Sequence, residues 1–276
     1  MRYVVKMKTQ NESKSLLSRE FFNYLLNIFL FFVLSSSLTF GSENSQLIKN
    51  SKQMLLVITT DDSAQKGTLF RFHRKMESGH WQSTDDQIPV VVGRKGLAWD
   101  SEENSGSMPN IPRKVEGDDK SPAGVFTLGD CFGFAKEKDM KDLKIPYLQV
   151  TQLTECIDDQ NSQYYNMIVK RDGINNIDWN SSEKMHQINH QYKIGVVINY
   201  NTESPKSGSG SCIFLHIWKN NSEPTSGCTA MSEEHMREIA FWLDKEKNPI
   251  IVQLTKPLYN SLRTSWHLPE VNFEEK

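Results

Sequence analysis

Short apolar runs separated by turn residues dominate the chain from about residue 50 to residue 270. Runs rich in Val, Ile, Leu and Phe, bounded by Gly, Pro, Asn and Asp, are typical of the short strands of a sandwich or barrel. Seven such runs are clear, at residues 54–60, 68–73, 89–93, 125–128, 194–199, 213–217 and 249–254. The pattern therefore predicts a mainly β fold in one domain over residues 50–270.

One helix is well marked after this β pattern. Ser232 is a favourable N-cap, and two glutamates follow it in the first turn, where the helix dipole stabilises acidic groups. One apolar face follows at the i, i+3, i+4, i+7 spacing, formed by Met236, Ile239, Ala240 and Leu243. The helix must end before Pro249. A second short helix is predicted over residues 258–265.

The N-terminal segment, residues 1–42, has a different pattern. Basic residues are scattered over residues 1–18, a largely apolar run covers residues 25–34, and small residues follow it. These features are typical of a secretory signal peptide, and the run is about half of the roughly 20 residues that a spanning helix needs. An N-terminal membrane anchor is the alternative. Either one predicts an exported, periplasmic or cell-wall-associated protein.

Composition and charge argue against nucleic acid as a partner. The formal net charge is -2, and no Lys/Arg run forms a basic patch. An exported protein can form disulfides, and the chain has four cysteines, Cys131, Cys156, Cys212 and Cys228. If Cys228 is a nucleophile and stays free, one bridge fits among the other three. Sequence alone does not select it, although we favour Cys156 with Cys212.

The segment 211–232 carries the candidate chemistry. A strand delivers His216, a polar turn follows, and Gly227 and Cys228 lead into the capped helix. A thiol with a pKa of about 8.5 is only a few per cent thiolate at neutral pH. A neighbouring imidazole can take its proton, hold the thiolate as an ion pair and return a proton to a leaving amine. Gly227 lets the backbone bend, so that the N–H groups of Gly227 and Cys228 can hold an oxyanion. The blander interpretation is a structural histidine and a buried thiol.

This segment resembles the catalytic motif of the L,D-transpeptidases, the YkuD-like (ErfK/YbiS) family. That motif has an upstream His, a variable loop and then Ser/Thr-x-Gly-Cys, which here is residues 225–228. Residues 120–128 resemble the family's Thr-Pro-x-Gly-x-Phe strand entry, and residues 92–96 are similar to the Val-Gly turn that precedes it. These motifs follow one another in the family's order over residues 89–232.

The resemblance implies an L,D-transpeptidase-like β-sandwich with one helix after the nucleophile loop. It also implies acyl transfer on peptidoglycan stem peptides, without a cofactor or metal and with the oligomeric state left open. Cys228 would be the nucleophile and His216 the base and then the acid, with Gly227 and Ser226 completing the catalytic loop. The chain departs from the family at Ser226, where a second His often stands. A long insertion also separates residues 126 and 216.

A second departure concerns substrate binding, because Ala230 replaces an Arg two residues after the nucleophile. Another cation would then anchor the substrate carboxylate, with Arg94, Lys114, Lys120 and Lys219 as candidates. Further candidate substrate contacts are Tyr165 in the insertion and two residues that flank the catalytic pair, Trp218 and Thr229. Acidic groups of the insertion could bind the free amine of a diamino acid, although solvated surface is the blander interpretation; they include Asp158, Asp159, Asp178 and Glu183.

The sequence admits four other interpretations. With water as the acceptor, the same site would make an L,D-carboxypeptidase or amidase. A non-catalytic wall-binding module would use the same groove without chemistry. A sortase-like enzyme is disfavoured, because Gly precedes Cys228 and a helix follows it. His186 and His190 have a zinc-like i, i+4 spacing, but the Glu of an HExxH motif is absent, so no metal is predicted.

Overall fold

The computed structural model describes residues 42–77, 79–99 and 112–272. The strands within these residues are β1 (Gln53–Thr59), β2 (Lys66–His73), β3 (Gln82–Val91), β4 (Leu97–Trp99), β5 (Ser121–Gly133), β6 (Tyr147–Gln149), β7 (Thr154–Cys156), β8 (Ile168–Lys170), β9 (Glu183–Lys184), β10 (Ile194–Ile198), β11 (Phe214–Ile217), β12 (Thr229–Met231) and β13 (Ile250–Thr255). The α-helices within the same residues are α1 (Ser42–Asn50), α2 (Glu233–Trp242) and α3 (Lys256–Leu262). The mainly β prediction is confirmed.

Eight strands pair in a closed ring, in the order β5, β10, β11, β12, β3, β2, β1, β13 and back to β5. The pairs β1–β13 and β11–β12 are parallel and the other pairs of the ring are antiparallel. β1 and β13 are buried along their whole length, which explains their continuous apolar sequence. Ring closure protects the edges of these strands and fixes β11 beside β12, the two strands that carry the candidate site.

The helix after the nucleophile loop forms as predicted. The Ser232 hydroxyl accepts a hydrogen bond from the His235 N–H at 3.2 Å and caps α2. Its apolar face is buried, and α2 ends at Trp242, before Pro249. The second predicted helix is α3, which begins earlier than predicted because the Thr255 hydroxyl accepts the Leu258 N–H at 3.3 Å.

The long insertion contains a separate three-stranded sheet, in the order β8, β7, β9. Its centre is the buried carboxylate of Glu155, which pairs with Arg171 at 3.1 Å and Lys184 at 2.6 Å. Glu155 also accepts hydrogen bonds from Trp179 and Ser182. Burial alone would raise the pKa of Glu155, but these donors together hold it at about 2. The carboxylate is therefore a structural anion that organises the insertion.

A disulfide between Cys156 and Cys212 attaches the insertion to the barrel. Cys156 is the last residue of β7, and Cys212 lies just before β11, so the bridge joins the inserted sheet to the strand that carries His216. The favoured pairing is confirmed. Cys131 and Cys228 are free and buried.

All seven strands predicted from the sequence are present, as β1, β2, β3, β5, β10, β11 and β13. The strands that the sequence did not reveal are two or three residues long, too short to show an alternating pattern. The predicted signal peptide or anchor, residues 1–42, lies outside the described residues apart from Ser42. Among the described residues, no helix has the length and apolar character needed to cross a bilayer.

Replacing Cys156 and Cys212 together by alanine should destabilise the protein. The bridge spans 56 residues, so in the chain-entropy account its loss costs about 4 kcal/mol. Urea unfolding of the double variant and of the wild type, each with and without reductant, measures this. Reductant should lower the stability of the wild type and of Cys131→Ala, but not that of the double variant. Equal stability of the oxidised wild type and the double variant would contradict the expectation.

Candidate active site

The imidazole of His216 is held in one orientation by its own strand. His216 lies on β11 and is only 6% exposed, and its Nδ1 is 2.8 Å from the carbonyl oxygen of Ile217. Because a carbonyl oxygen only accepts, Nδ1 carries the proton of the neutral ring and Nε2 keeps its lone pair. The Tyr192 ring packs edge-on against this imidazole, with the centroids 5.3 Å apart. Nε2 is therefore the basic atom of the site.

Cys228 lies directly before β12, which runs parallel to β11. The register places Ala230 opposite His216, so that thiol and imidazole come from neighbouring strands and line the same cavity. The Phe214 N–H donates to Cys228 Sγ at 3.3 Å. The thiol donates to the carbonyl oxygen of Cys212 at 3.4 Å. The disulfide-bonded residue 212 thus contacts the candidate nucleophile through its backbone.

Two hydroxyl groups fix the backbone of the nucleophile. The carbonyl oxygen of Cys228 accepts hydrogen bonds from Ser121 Oγ at 2.9 Å and from Thr225 Oγ1 at 2.6 Å. Ser121 Oγ in turn accepts the Gly93 N–H at 2.9 Å. The three stretches that resemble family motifs therefore meet at one peptide group. Ser121 is fully buried, so loss of its hydroxyl would leave a buried carbonyl with one donor fewer.

Two glycines of these motifs, Gly93 and Gly227, are required by close backbone contacts. A Cβ at Gly93 would lie 2.5 Å from the Asp119 carbonyl oxygen. Gly227 has φ 156°, and a Cβ there would lie 3.2 Å from the Lys120 carbonyl oxygen. The Gly227 N–H donates to Thr225 Oγ1 at 3.1 Å. The Gly227 N–H, predicted as an oxyanion donor, is therefore engaged within the resting loop, whereas the Cys228 N–H is the donor that we propose below.

Burial favours the uncharged forms of both candidate groups, the Cys228 thiol and the His216 imidazole. It lowers the pKa of His216 to about 4. Burial and the nearby charge of Glu183 raise the pKa of the Cys228 thiol far above its ordinary value, although the hydrogen bond from the Phe214 N–H acts in the opposite direction. The resting pair is thus thiol and imidazole, not the ion pair expected from the sequence. If Cys228 is a nucleophile, its proton must be transferred as it attacks.

The thiol and imidazole open into a cavity of about 220 Å³. Several predicted site residues contribute to its wall. Ser226, Arg94 and Trp218 line it together with Cys228 and His216. The structure therefore brings five of the predicted site residues to one place.

Three predicted substrate contacts lie elsewhere. The Tyr165 hydroxyl donates to Glu116 at 2.5 Å and accepts the Gly210 N–H at 3.0 Å, within a buried network. Thr229 is fully buried and donates to Gln253 at 2.5 Å. The ammonium of Lys120 donates to the Lys95 carbonyl oxygen at 2.6 Å. These side chains are occupied by structural contacts and do not line the cavity.

Two other residues of the cavity wall, Tyr192 and Glu183, were not distinguished by the sequence analysis. Tyr192 ends the 3-10 helix Met185–Tyr192, and its hydroxyl donates to Glu183 Oε2 at 2.7 Å. Tyr192 belongs to no motif and reaches the site only through the fold of the insertion. Glu183 was one of several acidic candidates in the insertion, and only its place on β9 distinguishes it.

The histidine pair of the insertion has another environment. His186 and His190 lie in the same 3-10 helix, which is kinked at Asn189, where φ is 59°. The i, i+4 spacing therefore does not place them on one α-helical face. The His186 ring packs against Phe134, and no cluster within the described parts of the chain has the donors for a metal ion.

The fold and site define a class of protein, a closed β barrel that brings a thiol and an imidazole together in one cavity. The chain belongs to the YkuD family, described as the L,D-transpeptidase catalytic domain, which it matches over residues 57–252. Members of this family act on the cell wall, and the domain supports L,D-transpeptidase-type activity on peptidoglycan. No curated protein and no solved structure matches the chain significantly.

Removing either hydroxyl from the Cys228 carbonyl should weaken both fold and site. We expect Ser121→Ala and Thr225→Val each to lower the free energy of unfolding by about 1–2 kcal/mol, because a buried acceptor loses a donor. Turnover of peptidoglycan should fall about tenfold or more, since small displacements of a nucleophile are costly. Urea unfolding and product analysis measure these effects. Ser222→Ala, on the exposed part of the same loop, is the control, and wild-type behaviour of Ser121→Ala would contradict the assignment.

The alkylation rate of Cys228 should rise with pH without a plateau near neutrality. The raised thiol pKa means that the thiolate fraction grows about tenfold per pH unit up to that pKa. An ion pair with His216 would instead give a plateau from mildly acidic pH upward. Iodoacetamide labelling followed by peptide mass analysis at pH 5 to 10 measures this, with Cys228→Ala to identify the adduct. A flat rate between about pH 5 and pH 8 would contradict the neutral pair.

Proposed function

We propose that this protein is a cysteine-dependent acyltransferase that forms L,D cross-links between peptidoglycan stem peptides. The observation that carries the proposal is the shared cavity of Cys228 and His216, with the lone pair of Nε2 available as a base. Family membership supports the substrate class. It also argues against the sortase-like alternative.

The reaction has two acyl-transfer steps. As Cys228 Sγ attacks the carbonyl carbon between an L-centre and the terminal D-residue, its proton passes to His216 Nε2. The carbon–nitrogen bond then breaks, the imidazolium protonates the departing D-amino acid, and a thioester remains. An amine of a second stem peptide attacks the thioester carbon, the carbon–sulfur bond breaks, and the thiol is restored. The Cys228 N–H is the proposed donor to the oxyanion of both steps. No cofactor takes part.

Two cations at the cavity replace the Arg that is absent at position 230. Ala230 is fully buried on β12, so a long side chain there has no space. Arg94 lines the cavity and remains half-exposed while it pairs with Asp119 at 2.7 Å. Lys219 lines it as well. We assign the carboxylate of the donor peptide to these two groups, and residues 1–42 to export of the chain.

The decisive experiment incubates the protein with purified tetrapeptide muropeptides and analyses the products by mass spectrometry. We expect a dimer that forms with loss of a terminal D-amino acid, and no product from Cys228→Ala, which should fold normally because a thiol and a methyl group are both small. Retained activity in Cys228→Ala would refute the assignment.

The alternatives predict other products. Trimmed or cleaved monomer that depends on Cys228 would identify a hydrolase, with water as the acceptor. An unchanged muropeptide would favour a binding module. Slow alkylation of the resting thiol does not separate these cases, because burial suppresses the thiolate in all of them.

A further inference from the structure

Glu183 is a carboxylate in the cavity wall that has no role in the proposed first acyl-transfer step. It lies on β9, is half-buried, and lines the same wall as Tyr192 and Cys228. The other charged residues of the cavity wall have counter-ions, since Arg94 pairs with Asp119 and Lys219 with Glu223. Among the described residues, Glu183 takes part in no ion pair, and its hydrogen-bond donor is the neutral Tyr192 hydroxyl at 2.7 Å.

A comparison with Glu155 shows that this arrangement is not what a structural carboxylate needs. Glu155 belongs to the same inserted sheet and receives two cations and two neutral donors. Glu183 has one donor and an open side toward the cavity. Because Glu183 is half-buried and lines the cavity, its remaining acceptor positions face a ligand that binds there. The group best matched to a carboxylate at this place is a cation with N–H donors.

We propose that Glu183 is the acceptor-binding base, which receives the incoming primary amine as an ammonium ion and takes one proton from it before it attacks the acyl-Cys228 thioester. This inference rests on the proposed function and selects an amine, not water, as the acceptor. Tyr192 is a positioning residue, because its hydroxyl orients the Glu183 carboxylate and its ring packs against His216.

The proton balance of the second step follows from this assignment. The ammonium gives one proton to Glu183 and becomes a neutral amine. The nitrogen then bonds to the thioester carbon, and the carbon–sulfur bond breaks. The second proton of the attacking nitrogen passes through His216 Nε2 to Cys228 Sγ, which restores thiol and imidazole. Glu183 finally releases its proton to solvent, which balances the proton taken up by the D-amino acid that left as a neutral amine in the first step.

The surroundings of Glu183 suit a group that must exchange a proton near neutral pH. Burial and the carboxylates of Asp158 and Glu116 raise its pKa to about 7, although the hydrogen bond from Tyr192 acts in the opposite direction. The Cys228 thiol faces it from the nucleophile loop. A base with a pKa close to the working pH is effective in both directions of proton transfer.

The test separates the two steps with Glu183→Gln, which keeps an acceptor for Tyr192 but cannot take a proton. Acyl-enzyme formation from a tetrapeptide donor, followed by intact-mass analysis, should be at least as fast as in the wild type, because loss of the Glu183 charge removes one cause of the raised Cys228 pKa. Aminolysis by the side-chain amine of a second stem peptide at pH 7 should fall about 100-fold. Hydroxylamine, which is uncharged at neutral pH, should remain an effective acceptor.

A control variant and two contrary outcomes complete this test. Glu234→Gln removes an exposed carboxylate outside the cavity and should leave both steps unchanged. Equal losses in Glu183→Gln with the amine and with hydroxylamine would overturn the proposal, as would unchanged aminolysis. If the wild type forms no acyl-enzyme, the proposed function itself fails and this inference fails with it.

The pH dependence of aminolysis in Tyr192→Phe is a second, independent test. It can be used even if Glu183→Gln does not fold. Loss of the hydroxyl removes a hydrogen bond that lowers the pKa of Glu183. The rise of the aminolysis rate with pH, expected near pH 7 in the wild type, should therefore move to higher pH. An unshifted profile would overturn the proposal, because a merely structural tyrosine would change the rate without moving the profile.

Discussion

The carbonyl group of Cys228 is the point on which the site depends. Two hydroxyls, from Ser121 and Thr225, donate to its oxygen, and through Ser121 the Gly93 turn is connected to the same group. Three segments that are far apart in the sequence thereby share one small set of hydrogen bonds.

The same close packing determines how the thiol can react. The Cys228 thiol is 7% exposed, lies between a strand N–H and a carbonyl oxygen, and is stable in its neutral form. Little water reaches the sulfur to stabilise a thiolate. Under the proposed function, a bound substrate would therefore align its carbonyl carbon with the sulfur, and the proton would be transferred to His216 during attack.

The contribution of sequence differed between parts of the site. The capped helix α2, the long strands and the His216–Cys228 pair follow from local patterns and motif order, because each depends on neighbours in the chain. Tyr165 and Thr229 were expected at the substrate and are buried in structural networks, since the direction in which a strand or loop side chain points is set by packing. Glu183 and Tyr192 reach the cavity only because the insertion packs back against the barrel. Such tertiary packing cannot be predicted from the spacing of residues in the sequence.

The size of the cavity has a consequence for inhibitors. Its volume of about 220 Å³ is below the roughly 300–1,000 Å³ of typical drug-binding pockets, so it holds little more than the reacting group. A selective compound would carry a small electrophile at its tip and extend its bulk along the outer surface. Electrophiles that need a thiolate before they react would react slowly with Cys228. Strained acylating rings, which take up a proton as they open, are better matched to a neutral thiol beside an imidazole.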